Sequence, residues 1–223
     1  MRRALPRGRA LEEALVTDHI RLLVVVGGRY HDEPGARDEL AAAISAYCDA
    51  DATITDDLGV LAEVSGSAVD VVLIYTTGRE LDQAQETSLL KFVAAGGGFV
   101  GLHGATTGFA QNPRYRQMIG SVFLRHPKFD ELSVTIDDRS HPITRGVTDF
   151  TVPDELYVLD ADLSSLHVLA TSRLGDLAQP TAYTKAYGDG RVYYLALGHD
   201  ARCLRLDQFR RLLGQGIAWA AGR

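Results

Sequence analysis

Three histidines stand at the ends of apolar runs, the place from which a side chain reaches a ligand in an open α/β sheet. His31 follows Arg21-Leu22-Leu23-Val24-Val25-Val26-Gly27-Gly28, His103 closes Gly98-Phe99-Val100-Gly101-Leu102, and His199 follows Val192-Tyr193-Tyr194-Leu195-Ala196-Leu197-Gly198. Imidazole exchanges protons near neutral pH and ligates zinc and similar metals. If the strands are parallel, the three rings share one sheet edge. There they could do general acid–base chemistry or hold a divalent ion through His31, His103 and His199. Asp154-Glu155-Leu156-Tyr157 adds two carboxylates beside an aromatic ring. Pro153 before it and Leu156 after it imply partial burial, which would raise a carboxyl pKa and suit it to acid/base duty.

Other polar residues invite a plainer account. His126-Pro127 and His141-Pro142 each force an extended backbone at the histidine, and for His141 a turn-stabilising role is the preferred reading. His19 and His167 read as structural. Cys203 lies close after His199, with Arg202 and Arg205 nearby. It sits at the start of a helix-bound loop instead of a strand-to-helix turn, so burial is expected over nucleophilic use. Gly96-Gly97-Gly98 precedes a strand and is no phosphate-cradling loop.

The elements that must position these groups are legible from periodicity. Residues 21–26 and 70–75 are continuously apolar, as strands buried on both faces are. A helix is expected over residues 37–48, from Leu40 and Ile44 at helical spacing, and a short strand over residues 52–55. A second helix, capped by Asp82 and stopped by Gly96, leads to the strand ending at His103. The threonine pair Thr106-Thr107 after it could start a helix, and residues 113–119 form a short one. Alternation of strand and helix predicts a doubly wound, mostly parallel sheet. Beyond it, Leu132-Ser133-Val134-Thr135-Ile136 alternates apolar and polar residues, as half-exposed antiparallel strands do. Strands are also expected over residues 157–159, 167–170 and 181–187, the last joined to residues 191–197 by a turn at Asp189-Gly190. A closing helix starts at Asp207 as its cap.

The 223 residues suit a single domain over residues 21–223, preceded by an extension, residues 1–20. A net charge of -6 argues against a basic nucleic-acid interface. The head, with Arg2, Arg3, Arg7 and Arg9, lacks the apolar run of a secretory signal, and no segment is long enough to span a bilayer. Two distant cysteines suggest no disulfide framework. A cytoplasmic protein with no nucleic-acid or membrane partner is expected.

Several blocks in one order resemble the ThuA-like (trehalose utilisation) family. They are Gly27-Gly28 with His31, Gly96-Gly97-Gly98-Phe99-Val100-Gly101-Leu102-His103-Gly104-Ala105, Gly120 to Phe123 with His126-Pro127, His141-Pro142-Ile143-Thr144-Arg145-Gly146, Asp154-Glu155-Leu156-Tyr157 and Gly198-His199-Asp200. The resemblance implies a flavodoxin-like three-layer α/β/α sandwich, similar to class I glutamine amidotransferases. Those enzymes carry a nucleophilic cysteine at the strand-to-helix elbow and a His-x-Glu dyad. Here His103 takes the elbow, and Asp200 and Ala201 follow His199, so glutamine hydrolysis through a thioester is not expected.

The resemblance also implies a small-molecule sugar substrate, from pathways that oxidise a disaccharide to a 3-keto form. A carbonyl at C3 acidifies the C2 proton and permits elimination of the glycosidic oxygen. An enzyme of this kind would be a lyase or hydrolase. His103 or His199 would be its base, Glu155 its acid, and His31 or a histidine-bound zinc-like ion its stabiliser. Tyr30, His31, Thr106, His126 and Tyr157 would bind substrate, with Phe109 as a further aromatic. The alternatives are a sugar-binding module without turnover, a zinc-dependent hydrolase on the same scaffold, and a homo-oligomeric assembly protein without chemistry.

Overall fold

The computed structural model describes residues 19–28 and 36–223. The expected extension up to residue 18, and Tyr30 and His31 with it, lie outside the described residues. The first strand, β1 (Ile20–Gly28), already includes Ile20. Then follow α1 (Ala36–Tyr47), β2 (Ala50–Thr55), a 3-10 helix (Leu58–Gly66), β3 (Val71–Thr77), α2 (Gln83–Ala94) and β4 (Gly98–Leu102). A 3-10 turn (His103–Thr106), α3 (Pro113–Ile119), β5 (Ser121–Arg125), β6 (Asp130–Ile136) and β7 (Phe150–Asp154) come next. The chain continues through β8 (Val158–Ala161), β9 (His167–Leu174), β10 (Leu177–Tyr187), β11 (Gly190–Leu195), the short α4 (Ala201–Leu204) and α5 (Asp207–Ala220).

Nine strands form one sheet in the order β2-β1-β3-β4-β11-β10-β9-β6-β7, and β5 pairs with β8 separately. The first five are parallel neighbours; from β11 onward every pairing is antiparallel. This alternation returns β7 to the direction of β4 and β11. The last residues of β4, β11 and β7 therefore lie on one edge of the sheet. That parity brings a carboxylate from a distant strand to the histidines.

Side-chain alternation divides the interior into two cores, one on each face of the sheet. Leu22, Val24 and Val26 of β1 pack with Leu40 and Ile44 of α1 and with Leu213 and Ile217 of α5. Leu23 and Val25 pack with Leu61, and with Leu89 and Val93 of α2. Each such fully buried side chain contributes roughly 1.5–3 kcal/mol. The helices are set by local chemistry as well: Asp82 accepts from Gln85 N–H at 2.8 Å, while the Gln85 side chain accepts from Asp82 N–H at 3.0 Å, a reciprocal capping box.

Three local expectations are corrected. Thr106 and Thr107 end a 3-10 turn instead of starting an α-helix. The β10–β11 turn is Gly188-Asp189, because Tyr187 pairs with Gly190 and Gly188 takes the positive φ of 59°. Asp207 is the first residue of α5, not its cap, and its carboxylate accepts from the Tyr47 hydroxyl.

The elbow after β4 is packed without slack. A Cβ on Gly104 would stand 2.3 Å from Thr77 Cγ2 and 3.0 Å from Thr76 O, so only glycine lets β3 and the elbow touch. Gly104→Ala is expected to destabilise the fold by about 1–3 kcal/mol. A shifted urea midpoint would show it; an unchanged midpoint would contradict this account of the elbow.

Candidate active site

His103, at the tip of β4, is fully buried and holds a left-handed backbone, with φ of 41°. Such a conformation costs a non-glycine residue about 1–3 kcal/mol and persists only where its surroundings fix it. Two buried tyrosines do so. Tyr194 donates its hydroxyl to His103 O at 2.8 Å and shares a 2.9 Å bond with the Thr106 hydroxyl, and Tyr115 donates to Ala105 O at 3.0 Å. The His103 ring is oriented by Nδ1, which lies 2.7 Å from Ala196 O. A carbonyl oxygen only accepts, so Nδ1 carries the proton and Nε2 faces the other way.

Nε2 faces Glu155. The distances are 3.6 Å from His103 Nε2 to Glu155 Oε2, 3.2 Å from His199 Nδ1 to the same oxygen, and 3.5 Å from His126 Nε2 to Oε1. His126 repeats the orientation of His103, since its Nδ1 lies 2.7 Å from Pro127 O and so donates to it. The carboxylate, 12% exposed, thus has three imidazoles around it.

The neighbouring Asp154 faces the opposite way. Fully buried, it accepts from Gly198 N–H at 2.8 Å, His199 N–H at 3.3 Å and Glu155 N–H at 2.7 Å. It ties the loop after β11 to the end of β7, so His199 and Glu155 are held by one group. Tyr75 adds a 2.6 Å bond from its hydroxyl to Gly198 O.

Electrostatics reverse the role expected for Glu155. Burial pushes its carboxyl up, but the hydrogen bonds and charges of His103 and His199 outweigh that and hold it well below the usual carboxylate range. It rests ionised and is no resting acid. His199 is held above its ordinary value by its hydrogen bond to Glu155, against the opposing pull of burial. Burial, then the Glu155 charge, raises the Tyr157 phenol, which stays protonated and able to donate. Burial also pushes the Cys203 thiol up, in keeping with its expected structural role.

A cavity of ≈ 440 Å³ opens over the cluster. Glu155, His126, His199 and Tyr157 line it together with Phe123, Thr77, Gly78 and Thr107. Phe123 of β5 and Tyr157, the residue before β8, supply one wall, their ring centroids 4.5 Å apart. Tyr157 also lies 4.2 Å from the His103 ring.

Of the residues singled out in the sequence, His103, His126, Glu155, Tyr157 and His199 are brought together. Thr106 is buried beneath the elbow, and its neighbour Thr107 takes the place on the lining. Phe109 is fully buried and packs on Tyr115, so it offers no face to a ligand. His141 Nδ1 accepts from Ile143 N–H at 3.2 Å, the turn role expected of it. His167 pairs with Asp138 at 3.0 Å, away from the cavity. Thr77, Gly78 and Phe123 were missed as site residues. The strand-end rule applied to Thr76-Thr77-Gly78 would have found two of them.

Asp154→Ala would strand three backbone donors, each costing about 1–3 kcal/mol when buried without a partner. A loss of about 3 kcal/mol or more is expected in denaturant unfolding, with His199 and Glu155 displaced together. A variant within about 1 kcal/mol of the parent would refute this role.

No protein of curated function matches the chain. A ThuA-like protein from Parabacteroides merdae superposes with a TM-score of 0.77 at 20% identity, over 91% of this chain and 90% of that one. A ThuA-like protein from Bacteroides uniformis gives 0.71 at 17%, over 97% and 95%. The β-galactosidase from Rahnella sp. R3 gives 0.62 at 15%, over 90% of this chain but 31% of that one. At these identities the likeness is one of fold. The family model described as "Trehalose utilisation" matches residues 21–220, and the chain belongs to this ThuA family.

Proposed function

We propose that this protein is an enzyme of disaccharide utilisation that cleaves a 3-keto-glycoside by proton chemistry. The observation that carries the reading is an ionised Glu155 holding three imidazoles at the floor of a cavity with an aromatic wall. The parallel strand order β2-β1-β3-β4-β11 supports a flavodoxin-like three-layer sandwich of the class I glutamine amidotransferase type, formed as one domain over residues 21–223. Cys48 and Cys203 are free, which fits a cytoplasmic setting, and no described helix is long and apolar enough to cross a membrane.

The chemistry needs a base at C2, a donor facing the oxygen that becomes negative, and a proton for the leaving oxygen. His103 is fully enclosed and does not line the cavity, so it serves as a positioning residue behind Glu155. The base is His126, whose Nδ1–H is tied to Pro127 O and whose Nε2, 3.5 Å from Glu155 Oε1, takes the C2 proton and holds it beside that carboxylate. His199, whose pKa its hydrogen bond to Glu155 raises, faces the enediolate oxygen as a donor. The Tyr157 phenol donates to the leaving oxygen. The C2–H and C1–O bonds break, a C1=C2 double bond forms, and the aglycone departs as an alcohol. Phe123 and Tyr157 offer flat faces to the C–H side of a pyranose.

Purified protein given 3-keto-trehalose is expected to release glucose. Glu155→Gln and His126→Ala should each lower kcat by about 10²- to 10⁴-fold while leaving affinity within a few-fold. No release above background, with or without added divalent metal, would remove this substrate. Binding without turnover in the parent protein would leave a sugar-binding module.

A further inference from the structure

We infer that His103 Nε2, Glu155 Oε2 and His199 Nδ1 form a binding site for one divalent ion of the zinc class. The three atoms lie within 4.8 Å of one another, each from a different strand end. The set differs from the His31, His103 and His199 expected from sequence: Glu155 takes the third place, and His31 lies outside the described residues.

Three observations carry the assignment. First, Ala196 O fixes the Nδ1–H tautomer of His103, so in the neutral ring a lone pair on Nε2 points at a carboxylate oxygen 3.6 Å away. Two electron-rich atoms so placed beside a fully buried ring need a positive charge between them, a proton or a metal ion, whereas the partly exposed His126 ring can be served by water. Second, a ring nitrogen backed by a carbonyl is how proteins orient a metal-binding histidine. Third, two imidazoles and one carboxylate are the ligand set of catalytic zinc, which keeps a further position open. Glu155 and His199 line the cavity, so an open position would face it.

His126 stands apart from the three, on Glu155 Oε1. It is not one of the three ligand atoms and stays on the cavity lining when an ion is bound. The ion would take over from His199 the task of polarising the C3 carbonyl. The inference thus deepens the reading of the same site, yet binding can be measured without sugar.

Tag-free protein, stripped with chelator and dialysed, would be titrated with Zn²⁺ alone and assayed for bound metal. One ion per chain is expected, with Co²⁺ giving the intense visible bands of a low-coordinate site. Glu155→Gln and His199→Ala should weaken binding by more than the roughly 10- to 100-fold typical of losing a supporting contact. His126→Ala should bind as the parent does. His167→Ala checks the exposed His167–Asp138 pair, where His141 also lies close, with ring centroids 5.4 Å apart. Less than about a tenth of an equivalent bound, or loss of binding in His167→Ala but not in Glu155→Gln, would overturn the site. Zinc at one per chain with no glucose release would uphold the ion and drop the sugar. Turnover by protein that binds no zinc would uphold the sugar and overturn the ion.

Discussion

A carboxylate stays ionised inside a protein only where donors or cations replace the water it has lost. Donors surround both Asp154 and Glu155, in opposite directions. Asp154 turns inward and takes three backbone N–H groups, which fixes the chain around it. Glu155 turns outward and takes imidazoles, which fixes the chemistry. Because the two are adjacent, the carboxylate that builds the loop also places the one that organises the site.

The sheet makes this pairing feasible. Catalytic groups at the carboxyl ends of parallel strands share an edge by construction. β7 earns its place on that edge through an even number of antiparallel reversals from β11. It is also the last strand of the sheet, which is where Pro153, lacking an N–H, can be accommodated. His103 is held from behind by Tyr194, through its carbonyl, and by Ala196, through its ring. The strained φ at His103 is thus stored where backbone and ring are both over-determined.

Much of this was readable in the chain. The continuous apolar runs gave the parallel strands, and the histidines at their tips gave two of the three rings on Glu155. The β10–β11 hairpin was also readable, from its turn; what periodicity could not supply was the placing of β5 and β7. β5 and β7 are short and carry no clean alternation: Pro153 interrupts one, while Leu124 on the other is exposed at 60%. The 3-10 helix Leu58–Gly66 was equally silent, since it buries only Leu58, Leu61 and Val64 along one side. The charge state of Glu155 came out reversed for a related reason. Burial was inferred from its neighbours in sequence, but the imidazoles that dominate its pKa, His103 and His199, come from the ends of β4 and β11. Local sequence shows desolvation; it does not show who supplies the compensating charge.

The central claim is that Glu155 gathers the rings of His103, His126 and His199. It is tested most directly by nitrogen-15 spectra of the histidine side chains in metal-free protein, compared with Glu155→Gln. The account predicts a protonated Nδ1 on His103 in both, with the Nε2 signal of His103 and the ring signals of His199 moving on substitution while those of His167 stay in place. Unmoved His103 and His199 signals, or a His103 ring protonated only at Nε2, would contradict it.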